Sequence, residues 1–301
     1  MNFKYNDKIY PSLSEYIHFE KDNSHSLYGK RLEFAHEIDS SVINALNEPH
    51  VQNAVNKFAD LLVNFQSGTE ISSGIVIDSY NFPEINDVLK HCCKTLGIKI
   101  PHAVVSARMP GINAYASGTA DNPYLLISDL ATHLLSKEEL TFIIGHECGH
   151  IAMEHLVYHL IGNSLFQLGK LLPIIGPMLA QTVSLPIKAW SRYSEITADR
   201  AGFLCCGDLK TSQRALMKLE SAFANVSDVD LDVYIEQSLE NLENMKLGAI
   251  KEYFFDHPLT PKRLKALQYF SQSAMYYRIT GKDLFPFNKT IKKRLGALKK
   301  R

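Results

Sequence analysis

The amino-acid sequence predicts an α+β fold that is mostly helical, with one small sheet. Apolar residues recur at steps of three and four over residues 30–66, which predicts two amphipathic helices separated near Pro49, and a further helix is predicted at residues 83–96. Short runs typical of strands, separated by proline and glycine, predict the sheet at residues 102–107, 113–118 and 124–128. Ser136, with Glu139 three residues later, has the pattern of a capping box and predicts that another helix begins there.

The composition is that of a globular protein and excludes disordered and fibrous chains. Of the 301 residues, 46% are hydrophobic, which is enough to build a substantial core. The 32 basic and 32 acidic side chains cancel, so extensive nucleic-acid binding is disfavoured and no nucleic-acid partner is expected. The five cysteines lack C-x-x-C spacing, and we interpret them as reduced, mostly buried side chains outside any disulfide framework or zinc finger.

Three regions are predicted from the changes in pattern along the chain. They are a helical N-terminal region at residues 1–70, a domain with the small sheet at residues 71–270, and a basic amphipathic tail at residues 271–301. The first ten residues include three charged side chains and no apolar core. No secretory signal peptide is therefore predicted, and the expected location is the cytoplasm.

The densest chemistry lies in the helix predicted from Ser136, where residues 146–150 read H-E-C-G-H. Because four residues turn an α-helix through about 400°, His146 and His150 lie only ~40° apart on one face and can bind one Zn²⁺. Glu147 lies beside them, where it can act as general base on metal-bound water. On its own, the motif is also compatible with a solvated helix face.

A catalytic zinc ion needs a third protein ligand, and Glu195 is the best candidate. It lies in a second predicted helical segment, where Glu195 and Asp199 share one face at i and i+4. We expect Asp199 to accept the far ring N–H of a liganding histidine. Without the upstream motif, the same segment would be interpreted as a solvated face whose charges pair locally.

Two further histidines, His155 and His159, follow the motif. In a continuous helix both project to the opposite side from the motif, so we expect surface or packing residues and not ligands. Met153 and Leu156 stand where metzincins carry glycine and histidine, which excludes that class.

Three segments in this order resemble the HtpX/CAAX prenyl protease type of zinc metallopeptidase, and its soluble bacterial members in particular. They are residues 146–150, residues 194–199 (S-E-I-T-A-D) and residues 257–263 (H-P-L-T-P-K-R). The resemblance covers roughly residues 70–270 and implies a zincin-like metallopeptidase domain there, a gluzincin with Glu147 as general base. One Zn²⁺ per chain would be bound by a water molecule and by three side chains, those of His146, His150 and Glu195.

The resemblance also suggests roles for residues around the ligands. It implies that His257 donates a hydrogen bond to the oxyanion that develops at the scissile carbonyl. In the alternative interpretation His257 caps the helix that begins near Pro261. Arg263 is expected behind the ligands, paired with a carboxylate such as Asp199 or Asp256.

A substrate-binding strand is predicted before the motif helix at residues 113–116 (N-A-Y-A), with Asn113, Ala114 and Tyr115 as the binding residues. Small residues there would let an extended peptide approach and pair as an added strand. The alternative is a plain, half-buried strand on which Tyr115 packs, and both interpretations can hold together.

Two segments have a pattern compatible with peripheral membrane contact. Residues 171–187 are seventeen uncharged positions, the core of an apolar hairpin predicted at residues 160–188, although a transmembrane helix of borderline length is the alternative. Three prolines in that segment favour the hairpin. Residues 281–301 carry eight basic residues and one acid, so the tail can lie on an anionic membrane, on a partner, or on the domain itself.

Three functions compete at this point. The first is a zinc endopeptidase that hydrolyses peptide bonds of protein substrates by zinc-activated water, with Glu147 as general base. The second is a catalytically silent or latent zincin-fold module that binds peptides and has a regulatory role. The third is a membrane-surface adaptor that acts through the hairpin and the tail.

Overall fold

The computed structural model describes a discontinuous part of the chain, namely residues 35, 73–118, 122–156, 159, 185–221, 223, 225–244 and 258–281. Described residues up to Leu267 belong to one compact unit, and those from Gln268 onward belong to a second. Several predictions lie outside the described residues: the helices at residues 30–66, most of the hairpin at 160–188, His257, and the tail beyond 281. The division into regions at residues 70 and 270 stays a prediction.

The described residues confirm the mostly helical α+β fold with one small sheet. Its four strands are β1 (Ile75–Val76), β2 (His102–Ser106), β3 (Ala114–Gly118) and β4 (Pro123–Ser128). Their order is β1-β2-β4-β3, in which β2 and β4 are parallel and the outer strands are antiparallel to their neighbours. The three predicted strands are confirmed. β1 was missed because a strand of two exposed residues is too short to show an alternation of buried and exposed positions. β3 is an outer strand of the described sheet.

Eight helices occur in the described ranges. They are α1 (Pro83–Leu96), α2 (Asp129–Leu134), α3 (Lys137–Ala152), α4 (Leu185–Cys206), α5 (Leu209–Ser221), α6 (Leu231–Asn244), α7 (Thr260–Ser271) and α8 (Ala274–Thr280). α1 begins with proline in its first turn and ends at Gly97, whose φ of 67° suits glycine. The capping box of α3 is confirmed, because Ser136 and Glu139 exchange side-chain to backbone hydrogen bonds of 3.2 and 2.8 Å. Among these helices, none is long and apolar enough to cross a membrane.

α3 is almost entirely buried and packs against α4, with α1 on another side. Glycines permit the close approach of α3 and α4. A Cβ atom added at Gly149 would lie 2.6 Å from the Cβ of Ala201, and one added at Gly202 would lie 2.6 Å from the carbonyl oxygen of Phe142. This contact holds the H-E-x-x-H face of α3 against the part of α4 that carries residues 195–199. The five cysteines are free, and four of them are buried.

The close contact predicts that Gly149→Ala lowers the free energy of unfolding by about 1–3 kcal/mol, because the added methyl group meets Ala201 and pushes the helices apart. Chemical denaturation measures this change. The swap Gly149→Ala with Ala201→Gly moves one methyl group across the interface and keeps the summed helix propensity. It should recover part of the loss, since the new Cβ still lies 3.2 Å from the Cα of Ala198. A Gly149→Ala protein more stable than its parent would contradict the packing, since alanine otherwise favours a helix by about 1 kcal/mol.

Candidate metal centre

α3 and α4 bring the three predicted metal ligands together. The Nε2 atoms of His146 and His150 lie 3.2 Å apart. Glu195 approaches both rings, with Oε2 3.5 Å from His146 Nε2 and Oε1 3.5 Å from His150 Nε2. All three side chains are buried, and their ligand atoms lie within 4.8 Å of one another. Ligands bound at ~2.0–2.1 Å to a tetrahedral Zn²⁺ lie about 3.3 Å apart, so donor types and spacing fit that ion.

Asp199 lies behind His146, as its spacing from Glu195 predicts. Its Oδ1 atom is 3.0 Å from His146 Nδ1, so the ring N–H on the far side of the imidazole donates to this carboxylate. In the metal-free chain, burial alone would lower the pKa of His146, but its hydrogen bonds to Asp199 and Glu195 raise that pKa to about 10, so a metal ion has to displace a proton from this ring. Burial instead lowers the pKa of His150 to about 4, which keeps this imidazole neutral. A neutral imidazole is the form that binds a metal ion.

Arg263, on α7, is fully buried and pairs with several carboxylates at once. Its Nε and Nη2 atoms donate to the two oxygens of Asp199 at 2.8 and 2.7 Å. The Nη2 atom also lies 3.2 Å from Glu195 Oε2, and Nη1 donates to Glu220 at 2.6 Å. Burial would raise the pKa of Asp199, but the Arg263 guanidinium lowers it below its ordinary value. Arg263 therefore compensates the negative charge that α4 places in the interior.

The sequence analysis left the partner of Arg263 open between Asp199 and Asp256. The structure pairs Arg263 with Asp199, while Asp256 lies outside the described residues. Glu220 was missed. It lies on α5, away from every motif, and no local spacing signals its approach to Arg263.

Glu147 faces the outer strand β3. Its Oε2 atom accepts a hydrogen bond of 2.7 Å from the backbone N–H of Ala116. In an antiparallel ladder the backbone groups of alternate residues point to the same side, so Ala114 shares this direction with Ala116. The carboxylate of the predicted general base thus lies between the histidine cluster and a strand whose outward backbone groups point toward it.

The predicted substrate-binding residues differ in position. Asn113 is exposed, but its backbone pairs with Ser128: its carbonyl oxygen accepts from the Ser128 N–H at 2.9 Å, and its own N–H donates to the Ser128 hydroxyl at 3.0 Å. Tyr115 packs against a buried apolar cluster of the sheet. The outward-facing backbone groups belong to Ala114 and Ala116. The contact of Ala116 with Glu147 was missed because it is made by a backbone amide, which leaves no mark in side-chain patterns.

The expected positions of His155 and His159, on the side of the helix opposite the motif, are both wrong. α3 ends at Ala152, and Glu154 adopts a left-handed conformation with φ of 59°, so the chain reverses instead of continuing as a helix. His155 is fully buried, with its Nδ1 atom 2.9 Å from Nδ1 of His150. His159 is half-buried, and its Nε2 atom lies 3.0 Å from the Ser194 hydroxyl. His150, His155 and His159 form a second group whose ligand atoms lie within 4.8 Å of one another.

Comparison with known proteins gives a family and several relatives. The profile of the family described as "Peptidase family M48" matches residues 79–271, more than half of the chain. The matched region contains α3, α4, α7 and all strands of the described sheet except β1.

The relatives are distant in sequence. "Plastoglobule-localized metallopeptidase 48, chloroplastic" of Arabidopsis thaliana is 26% identical over 214 residues, which are 68% of this chain and 62% of that protein. "Protease HtpX homolog" of Archaeoglobus fulgidus is 26% identical over 223 residues, or 60% of this chain and 66% of that protein. "Protease HtpX homolog" of Gemmatimonas aurantiaca is 25% identical over 220 residues, which are 64% of this chain and 77% of that protein. The chain spans less than two thirds of the length of the first two.

Proposed function

The chain belongs to peptidase family M48, and from this membership we propose that it is a zinc-dependent endopeptidase that hydrolyses peptide bonds of protein substrates. The observation that carries the proposal is the buried convergence of His146, His150 and Glu195, with the Glu147 carboxylate beside them. Two imidazole nitrogens and one carboxylate are the protein ligands of many catalytic zinc sites, and they leave a position for water. We therefore assign one Zn²⁺ per chain.

When bound, the zinc ion supplies Lewis-acid chemistry and makes water a nucleophile at neutral pH. Glu147 accepts the proton of the attacking water and passes it to the leaving amine. Asp199 holds the His146 ring by its far N–H, and Arg263 holds Asp199. For His257 we propose the stabilisation of the oxyanion, a role that its position outside the described residues leaves to experiment.

The substrate is proposed to bind as an added strand along β3. Because the Ala116 N–H already donates to Glu147, the backbone groups of Ala114 and the carbonyl oxygen of Ala116 would pair with an extended peptide. Asn113 and Tyr115 would hold the strand to the sheet. Because Glu147 accepts from Ala116, a peptide on this strand passes beside the general base. Backbone pairing reads no side chain directly, which suits protein substrates of varied sequence. Membrane contact through residues 171–187 or 281–301 stays a prediction, since these segments lie outside the described residues, apart from Leu185–Ile187 at the start of α4 and Gly281.

Metal removal and restoration test this function. The purified full chain, stripped by a chelator and then reloaded with zinc, is incubated with a mixed pool of unfolded proteins and peptides, and new N-termini are identified. We expect new ends with zinc, their loss on chelation, and their return when zinc is restored. Cleavage that persists after chelation would contradict a metallopeptidase, and a zinc-loaded protein that produces no new ends would support the silent peptide-binding module.

A matched variant tests the ligand set within the same experiment. Glu195→Ala should lower zinc affinity by more than about 100-fold. Loss of a residue that only hydrogen-bonds to a ligand typically lowers metal affinity about 10–100-fold, and loss of a ligand itself should lower it further. Zinc content by elemental analysis measures this loss. A Glu195→Ala protein with full zinc content and full cleavage would contradict the assignment of Glu195.

A further inference from the structure

We infer that His155 is a positioning residue for His150, holding its ring so that the Nε2 atom faces His146 and Glu195. This role rests on the proposed function in one respect, namely that His150 binds the metal ion. The observation that carries it is the 2.9 Å separation of the two Nδ1 atoms, inside the interior of the protein.

The two nitrogens of His150 face different neighbours. Nε2 lies 3.2 Å from His146 Nε2 and 3.5 Å from Glu195 Oε1, while Nδ1 faces His155. A neutral imidazole that binds a metal through Nε2 carries its proton on Nδ1. That N–H therefore donates to Nδ1 of His155, and His155 carries its own proton on Nε2. The contact fixes the tautomers of both rings.

The turn after α3 places His155 for this contact. Glu154 takes the left-handed conformation, and the backbone N–H of His155 donates to the carbonyl oxygen of His150 at 3.0 Å. His155 is thus tied to His150 twice, once through the backbone and once through the ring. This turn after α3 brings the side chain of His155, five residues after His150, back to the His150 ring.

A side chain of α4 also packs against the His155 ring. Trp190 is buried and meets His155 edge-on, with ring centroids 5.4 Å apart, and it also contacts His159 at 5.3 Å. Ser194 and Ser191 lie 3.0 and 3.3 Å from the two ring nitrogens of His159. The helix that carries Glu195 therefore also carries the residues that pack behind His155.

The two histidines of the motif consequently have different partners. His146 donates to the carboxylate of Asp199, whereas His150 donates to a neutral imidazole. A carboxylate partner raises the basicity of a ligand and adds negative charge, while an imidazole orients the ring without adding charge. With Glu195 and Asp199 already close to the site, a neutral partner preserves the positive character that a Lewis acid needs.

The same three histidines could instead bind a second metal ion. The hydrogen bonds of His159 favour the positioning role, because both of its nitrogens lie within hydrogen-bonding distance of serine hydroxyls. A metal ion at this point would have to displace one of those contacts. The number of ions bound per chain separates the two possibilities.

Two crossed substitutions test the role. His155→Phe keeps a ring against Trp190 and removes the hydrogen bond, whereas His155→Asn places an amide near the position of Nδ1 and loses the ring. Zinc affinity of the full chain is measured by competition with a chelator at one pH, and Co²⁺-substituted proteins are compared by visible absorption at saturating metal. We expect His155→Phe to weaken zinc binding by about 10–100-fold and to shift the cobalt bands, with His155→Asn closer to the parent.

His159→Phe is the matched control, because it keeps an aromatic ring against Trp190 and His150, whose ring centroids lie 5.3 and 5.1 Å from that of His159, and removes the two nitrogens that face Ser194 and Ser191. It should change zinc affinity by less than about threefold, well below the effect of losing a partner behind a ligand. Thermal unfolding of the metal-free proteins shows whether any variant has lost its fold. If His155→Phe unfolds, His155→Asn still tests the inference. Because its amide keeps the hydrogen bond to His150, its zinc affinity and its cobalt bands should match those of the parent.

Three results would overturn the inference. They are a folded His155→Phe protein with parental affinity and spectrum, a His155→Asn protein weaker than His155→Phe, and two zinc ions per chain in the parent. Each leaves the proposed function standing if the parent binds zinc and cleaves peptides. A parent chain that binds no zinc at all would instead refute the metal centre itself.

Discussion

Replacing Glu147 with glutamine is expected to reduce peptide hydrolysis by about 10²–10⁴-fold while zinc stays bound. Glutamine has nearly the same shape and can still accept the Ala116 N–H, but its amide cannot take a proton from water. The three ligand side chains are unchanged. The value of kcat/KM on a peptide identified from its new N-terminus measures the first effect, and elemental analysis measures the second.

Glu138→Gln is the control for this substitution. Glu138 lies in the first turn of α3, exposed, and far along the helix from the histidine cluster. The same chemical change at this position should leave kcat/KM within about twofold, as expected for a surface substitution. Full turnover by a zinc-loaded Glu147→Gln protein would remove Glu147 from the role of general base.

Loss of Arg263 is expected to have the largest effect on stability. Arg263→Met keeps much of the side-chain volume but removes the buried guanidinium beside Asp199 and Glu195, at a cost of about 3–5 kcal/mol in the free energy of unfolding. Urea denaturation of the metal-free chain measures the change. Because these carboxylates hold His146 and complete the ligand cluster, zinc affinity should fall as well.

The loss of unfolding free energy caused by Arg263→Met should become smaller at acidic pH. In the parent chain Arg263 lowers the pKa of Asp199 below its ordinary value, so this carboxylate contributes stability that is present above about pH 4 and is lost as pH falls toward the lowered folded pKa. The variant lacks the part of this contribution that comes from Arg263, while the part that comes from His146 remains. The difference between the two proteins is therefore greatest near neutral pH and becomes smaller as the pH falls through the lowered pKa of Asp199.

Lys265→Met is the matched control on the same helix. Lys265 pairs with Glu236 at 2.8 Å, but the Glu236 side chain is 72% exposed, and such pairs contribute about 0–1 kcal/mol. Equal losses for the Arg263 and Lys265 variants would show that Arg263 does not act through its buried carboxylates.

Much of the candidate site could be predicted because α-helices make side-chain positions periodic. The four-residue spacings of His146 with His150, and of Glu195 with Asp199, each place two groups on one helix face. The structure adds that these two faces meet, which depends on glycines that let α3 and α4 approach closely. The periodicity within each helix is local, whereas the contact between the helices is not.

The features that were missed depend on contacts without a local pattern. His155 reaches His150 because a glutamate, not a glycine, takes the left-handed conformation at the end of α3. Glu220 reaches Arg263 from another helix, and Ala116 reaches Glu147 through its backbone. None of these is encoded by spacing along one element, so propensity and periodicity could not reveal them.

Anomalous diffraction from crystals of the zinc-loaded chain, recorded on both sides of the zinc absorption edge, tests the metal centre most directly. We predict one peak per chain, in contact with Nε2 of His146, Nε2 of His150 and the carboxylate of Glu195. A peak among His150, His155 and His159, or a peak remote from all of these side chains, would contradict the account.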